Sequence, residues 1–157
     1  GRLIEEQLRR IIRQQNWAYL DVRIINFEPF KEACGFVAGD DVLRFTAMVI
    51  GEVLDELGTA NDFIGHAGGD SFVIITAAEA ALAVREKLKQ RFAEEILSHY
   101  SFLDREQGFI RTVTKDGQVE QTPLMKLSIG IVSPKDYQFA DIREITELAA
   151  EARRRDG

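Results

Sequence analysis

Residues 64–77, Ile-Gly-His-Ala-Gly-Gly-Asp-Ser-Phe-Val-Ile-Ile-Thr-Ala, read as two β-forming runs joined by a tight turn. Gly68 and Gly69 supply the left-handed backbone freedom such a turn needs, and Asp70 stands at its tip. A carboxylate beside bare glycine backbone can hold a metal ion or a phosphate, although most Gly-Gly-Asp turns only connect strands. Upstream, Ala18 to Phe27 is rich in β-formers and gives way to a helix start at Glu28-Pro29. A short helix from Phe30 to Cys34 closes at Gly35, and Gly39-Asp40-Asp41 opens a longer one ending at Leu57-Gly58. Its apolar face comprises Val42, Leu43, Phe45, Thr46, Val49, Ile50, Val53 and Leu54. Downstream, a helix is predicted from Ala78 to about Tyr100, apolar at Leu82, Val84, Leu88, Phe92, Ile96 and Leu97. Phe109 to Thr114 and Gln118 to Thr122 flank the turn Lys115-Asp116-Gly117, Lys126 to Val132 is a strand, and Phe139 to Arg155 a closing helix. The order predicts an α+β fold on the ferredoxin-like βαββαβ plan: an antiparallel sheet with helices on one face, plus an extra hairpin.

Residues 1–16 form a separate unit in this reading. Leu3, Ile4, Leu8, Ile11 and Ile12 lie on one helical stripe among charges, and Asn16 stops it. Such a stripe serves equally a helix docked on its own domain or a linker helix carrying a signal from an upstream domain. The 157 residues suffice for one domain with a proper core, and 45% hydrophobic with 29% charged residues describes a globular chain. A formal charge of −6 argues against nucleic acid as a partner. No apolar run reaches membrane-spanning length. Cys34 is the sole cysteine, which excludes an internal disulfide and fits a reducing cytoplasm. It reads as a small buried filler, and His66 as a structural hydrogen-bonding residue. The abrupt, helix-like ends suggest a piece of a larger protein.

Phe27, Pro29-Phe30, Gly35-Phe36, Gly39-Asp40, Val42-Leu43, Asp62 to His66, Gly68-Gly69-Asp70, Phe72 and Ser128 to Ile131 together resemble the GGDEF domain of diguanylate cyclases. The resemblance runs in order from residue 17 to residue 157. It implies a family that condenses two GTP molecules into cyclic di-GMP between two facing domains, with Mg²⁺ held by carboxylates and phosphates against glycine backbone. On this resemblance the nucleotide-binding candidates are Phe27, Asp40, Gly68, Gly69, Asp70 and Arg154, with Arg153 and Arg155 as neighbours able to take the last role. A solvated helix end is the plainer reading for these arginines.

The sequence departs from the family at several chemically independent positions. Arg23 stands where the first metal carboxylate belongs, and Ile25 at a second acidic position. A guanidinium brings a permanent positive charge and no acceptor. Asp21 lies on the same strand face, about 7 Å away, too far to substitute without a strand slip. Ser71 replaces the glutamate of the signature Gly68-Gly69-Asp70-Ser71-Phe72, Lys31 the guanine-reading asparagine, and Glu28 a lysine beside the phosphates. The inhibitory Arg-x-x-Asp motif reads Thr59-Ala60-Asn61-Asp62, so that site is expected to be lost and Asp62 to serve the turn. These substitutions predict a vestigial site with no cofactor, Asp70 its only retained metal candidate and Arg23 paired with Asp70 in the cation's place. The expected function is a catalytically inactive regulatory or interaction module of a larger bacterial signalling protein linked to cyclic di-GMP. Attached signalling domains, and a second copy in a homodimer, are the expected partners. The alternatives are a GTP-binding sensor without turnover and an active cyclase using Mg²⁺.

Overall fold

The alternating pattern of strand β1 (Trp17–Ile25) organises the molecule. In this computed structural model, which describes residues 1–157, β1 pairs antiparallel with β3 (Ser71–Ala77) on one side and β6 (Lys126–Val132) on the other. Strand β2 (Phe63–Gly68) adds outside β3, giving the order β2-β3-β1-β6. That order is the ferredoxin-like arrangement expected from the element sequence. The extra hairpin forms as β4 (Phe109–Val113) with β5 (Val119–Pro123), a separate two-stranded sheet.

Period-2 alternation sends Ala18, Leu20, Val22 and Ile24 to one face, where they join Val42, Ile50, Val84, Leu88 and Phe92 in the main core. Those partners come from α3 (Phe36–Leu57) and α4 (Ala81–Glu95). The opposite residues of β1 meet a second core. Trp17 and Tyr19 pack there with Ile4 and Leu8 of α1 (Arg2–Ile11) and Ile145 and Ala149 of α6 (Ile142–Asp156). Helices therefore cover both faces, which corrects the expectation of one. The apolar stripes of the first and last helices need a partner, and the outer sheet face supplies it.

Local boundaries follow from individual residues. Asn26, the only non-glycine residue with positive φ (67°), turns the chain from β1 into α2 (Phe27–Cys34), and its amide donates to the Pro123 carbonyl. Strand β1 thus ends two residues before Phe27, whose ring is buried at the start of α2. Gly35 (φ 99°) separates α2 from α3, so the long helix begins at Phe36 rather than Gly39. The segment 78–100 is not one helix: single tighter turns at Ala78–Ala80 and Ile96–His99 bracket α4. Leu82 is 59% exposed because it misses the Ala81-Val84-Leu88-Phe92 stripe, and Leu97 is also exposed. A further short helix, α5 (Phe102–Gln107), follows, capped by Ser101 Oγ accepting from Asp104 N and closed by Gly108 (φ 81°). No helix is long and apolar enough to cross a membrane.

Helix α6 lies directly on β6. A Cβ at Gly130 would overlap Arg153 N and Ala149 O, so the approach requires a residue without one. Ser128 Oγ donates to Arg153 O at 2.7 Å, and Asp156 Oδ2 accepts from both Ile129 N (2.9 Å) and Lys89 Nζ (2.8 Å). We expect Gly130→Val to destabilise the domain by about 1–3 kcal/mol through overpacking. Urea denaturation checks this as a lower midpoint at unchanged slope.

Candidate functional site

The β2–β3 turn brings the sequence-predicted residues to the end of β1. Gly68 (φ 108°) and Gly69 (φ 53°) form the turn, with a register shift between His66 and Gly68. His66 Nε2 lies 2.8 Å from Gly69 O and its ring stacks on Phe72 at 4.8 Å, so this histidine braces the turn. Arg23 stands opposite Ser71 in the β1–β3 register, and Ile24 N donates to Asp70 O at 3.0 Å. The turn is thereby tied to the strand carrying Arg23.

Two substituted residues converge on one carboxylate oxygen. Arg23 Nε is 3.5 Å from Asp70 Oδ1, and Ser71 Oγ donates to the same atom at 3.3 Å. The pair is partly open to solvent, the side chains being 45% and 24% exposed, so its strength is reduced by screening. No group of three or more His, Cys, Asp or Glu side chains is arranged to hold a metal ion. A divalent cation does not fit here, because the donor set around Asp70 Oδ1 is a guanidinium and a hydroxyl rather than further anionic oxygens.

Most of the other candidates are likewise engaged by neighbours. Glu28 and Lys31 pair with each other at 3.4 Å, and the Lys31 ammonium lies 5.9 Å from the Phe27 ring centroid. The Lys31 stem crosses Gly39, where a Cβ would stand 2.8 Å from its Cγ. Asp40 pairs with Arg44 at 3.0 Å, and Asp41 shares the same guanidinium. Phe27 is 2% exposed and belongs to the core. Arg154 is exposed on the last turn of α6. Asp62 accepts from Thr59 N and Thr76 Oγ1, each at 2.8 Å, as a turn-stabilising residue does.

Arg153 departs from the expected solvated helix end. It is buried, and its Nε lies 3.5 Å from Asp21 Oδ2. Burial raises the Asp21 carboxyl above its ordinary range, and Arg153 opposes that rise. Cys34 also departs from expectation: it is exposed, because α2 buries Phe27 and Phe30 and turns its last residue outward. Partial burial beside α5, and then the Asp104 carboxylate, hold its thiol above the usual range, the opposite of nucleophile activation.

The family model for the diguanylate cyclase GGDEF domain matches residues 2–156. The chain belongs to the GGDEF family. Its fold is similar to that of the GGDEF domain of TpbB (YfiN) from Pseudomonas aeruginosa, with a TM-score of 0.67 at 20% identity over 99% of this chain and 81% of that one. The active GGEEF domain of a diguanylate cyclase from Vibrio cholerae gives 0.62 at 22% identity, covering 96% and 80%. The GGDEF domain of DgcB from Caulobacter crescentus, solved in complex with c-di-GMP, gives 0.65 at 21%, covering 98% and 80%. No curated protein matches the sequence closely enough to count as a relative. Structural relatives of this GGDEF domain occur with a coiled coil and with an activator protein, SiaC.

Two of these pairings were not read from the sequence. Arg44 follows Asp40 by four residues, a spacing that signals helical ion pairs. Arg153 carries no such local signal, since Asp21 lies far away in the chain. Removing the Arg153 guanidinium with Arg153→Met leaves the partly buried Asp21 without its close partner, and we expect a loss of about 3 kcal/mol at pH 7. Because Arg153 holds the raised Asp21 pKa down, its removal raises that pKa further, and the variant's deficit grows as pH climbs above the unmodified chain's already raised value. It shrinks below that value, where the acid is neutral in both folded proteins. Urea denaturation of both proteins at pH 7 and pH 4 measures the difference.

Proposed function

We propose that this chain is a GGDEF domain that does not synthesise cyclic di-GMP and acts as a regulatory or interaction module in a larger cytoplasmic signalling protein. The observation that carries this reading is the convergence of Arg23 and Ser71 on Asp70 Oδ1, where the resemblance requires metal-binding acids. A guanidinium supplies the positive charge but no coordination site, so it neutralises Asp70 without activating a hydroxyl or bridging phosphates. The Glu28–Lys31 and Asp40–Arg44 pairs support the same conclusion, because guanine would have to compete with internal partners. Losing one transition-state contact typically costs about 2.7–4 kcal/mol, or 10²–10³ in rate. Here the acids expected at positions 23 and 71 and a guanine reader are replaced together. Partner domains, a second copy of the chain and no resident cofactor complete the proposal.

A second reading, GTP binding without turnover, rests on a specific feature. The Gly69 and Asp70 N–H groups donate to no backbone carbonyl, leaving two adjacent donors at the turn. Successive free amides beside an arginine can receive a phosphate without a metal.

The purified domain incubated with GTP and Mg²⁺ or Mn²⁺ is expected to yield no cyclic di-GMP by mass spectrometry; product formation overturns the inactive reading. Calorimetry with GTP separates the interaction module, which gives no heat at millimolar nucleotide, from the sensor, which gives a saturable signal. Restoring acids with Arg23→Asp and Ser71→Glu is expected to create Mn²⁺ binding that the unmodified domain lacks. Equal Mn²⁺ heats for both proteins would contradict the role given to Arg23.

A further inference from the structure

A cavity of about 460 Å³ opens between α1 and α6 on the outer face of the sheet, apart from the turn-centred site and independent of the function proposed for it. Ile4 and Leu8 form one wall, Ile142 the other, and Tyr19 and Val73 the floor. Its size falls within the range of small-molecule sites, about 300–1,000 Å³.

Tyr19 gives the cavity its polar specificity. The residue is only 4% exposed, yet its hydroxyl has no hydrogen-bond partner within the protein. The other deeply buried tyrosine, Tyr100, accepts from Met125 N at 2.8 Å. No fully enclosed side-chain polar atom in the molecule lacks a partner, so Tyr19 Oη keeps an opening, and Tyr19 lines the cavity. Burial first, and the Asp21 carboxylate second, hold this phenol well above its usual range, so it remains a donor through neutral pH. A hydroxyl without a protein partner on an apolar floor can donate to an acceptor carried by an apolar body.

The surrounding charges set the sign of that acceptor. Asp21 lies on the same face of β1, and Glu5 lines the cavity. The buried cation nearest Asp21, Arg153, is already committed to it, and Arg143, which also lines the cavity, reaches Glu147 at 3.9 Å. Glu5 and Arg143 line the cavity with one charge of each sign, so neither an anionic nor a cationic head is favoured. We infer that the α1–α6 cavity is a binding site for a small neutral molecule with an apolar, ring-sized body and one carbonyl-type oxygen that accepts from the Tyr19 hydroxyl. Because its walls belong to two different helices, an occupant clamps α1 to α6.

Titration of the ¹⁵N-labelled chain with acetanilide, followed by amide shifts, tests this. Saturable shifts are expected at Ile4, Leu8, Ala67, Val73 and Ile142, with Asp40 and Gly69 unmoved. Tyr19→Phe should fold with an equal or higher Tm, since the hydroxyl it removes has no protein partner. It should weaken acetanilide about 2- to 10-fold, the worth of one hydrogen bond, and leave n-propylbenzene binding unchanged. Thr146→Leu, on the cavity wall, should weaken both probes. The proposal fails if shifts do not saturate, if they centre elsewhere, or if Tyr19→Phe binds acetanilide as well as the unmodified chain. It also fails if phenylacetate binds more tightly than acetanilide, or if Tyr19→Phe lowers Tm.

Discussion

Strand β1 is hydrogen-bonded along both edges and covered on both faces, and almost every other feature follows from that confinement. Its residues have only two directions to point. The aliphatic set fills the main core, so Tyr19, Asp21 and Arg23 must all emerge on the side of α1 and α6. Polar groups placed there by the strand's period have to be matched by something on neighbouring elements, or be left open to a visitor. Asp21 finds Arg153 on α6, Arg23 finds Asp70 on the turn, and Tyr19 finds nothing within the chain.

The two ion pairs differ in kind. Asp21 and Arg153 are largely removed from water, where breaking a pair is far more costly than making it is beneficial. Arg23 and Asp70 sit half in solvent, where the pair is weak. The consequential property of the second pair is therefore occupancy rather than strength. A guanidinium in that place changes what else can approach Asp70, while the fold stays indifferent to it. This separation explains how a GGDEF scaffold can coexist with substituted residues at its turn.

Much of the architecture was legible because it rests on local pattern. The Lys126–Val132 strand, the Lys115-Asp116-Gly117 hairpin and the glycine turn at 68–69 appear where alternation and turn chemistry put them. The Arg23–Asp70 pairing was legible too, since charge balance at adjacent strands demanded it. What escaped depended on three-dimensional placement. Which sheet face α1 and α6 cover, the burial of Arg153 and the outward turn of Cys34 are each decided by packing between distant segments. Helix α5 escaped for a different reason: its Ser101 cap and Gly108 stop enclose too few residues to show a period.

The outermost amide of β6 at Ile129 faces away from β1, and the carboxylate of Asp156 takes it. An uncovered strand margin is a template on which a foreign strand can grow, and a side chain from the last turn of α6 occupies one donor of that margin here. Lys89 holds the stopper in place from α4. Fraying of that one helical turn would therefore do more than loosen a helix. It would expose an adhesive border, turning a covered strand margin into a seed for strand exchange and aggregation.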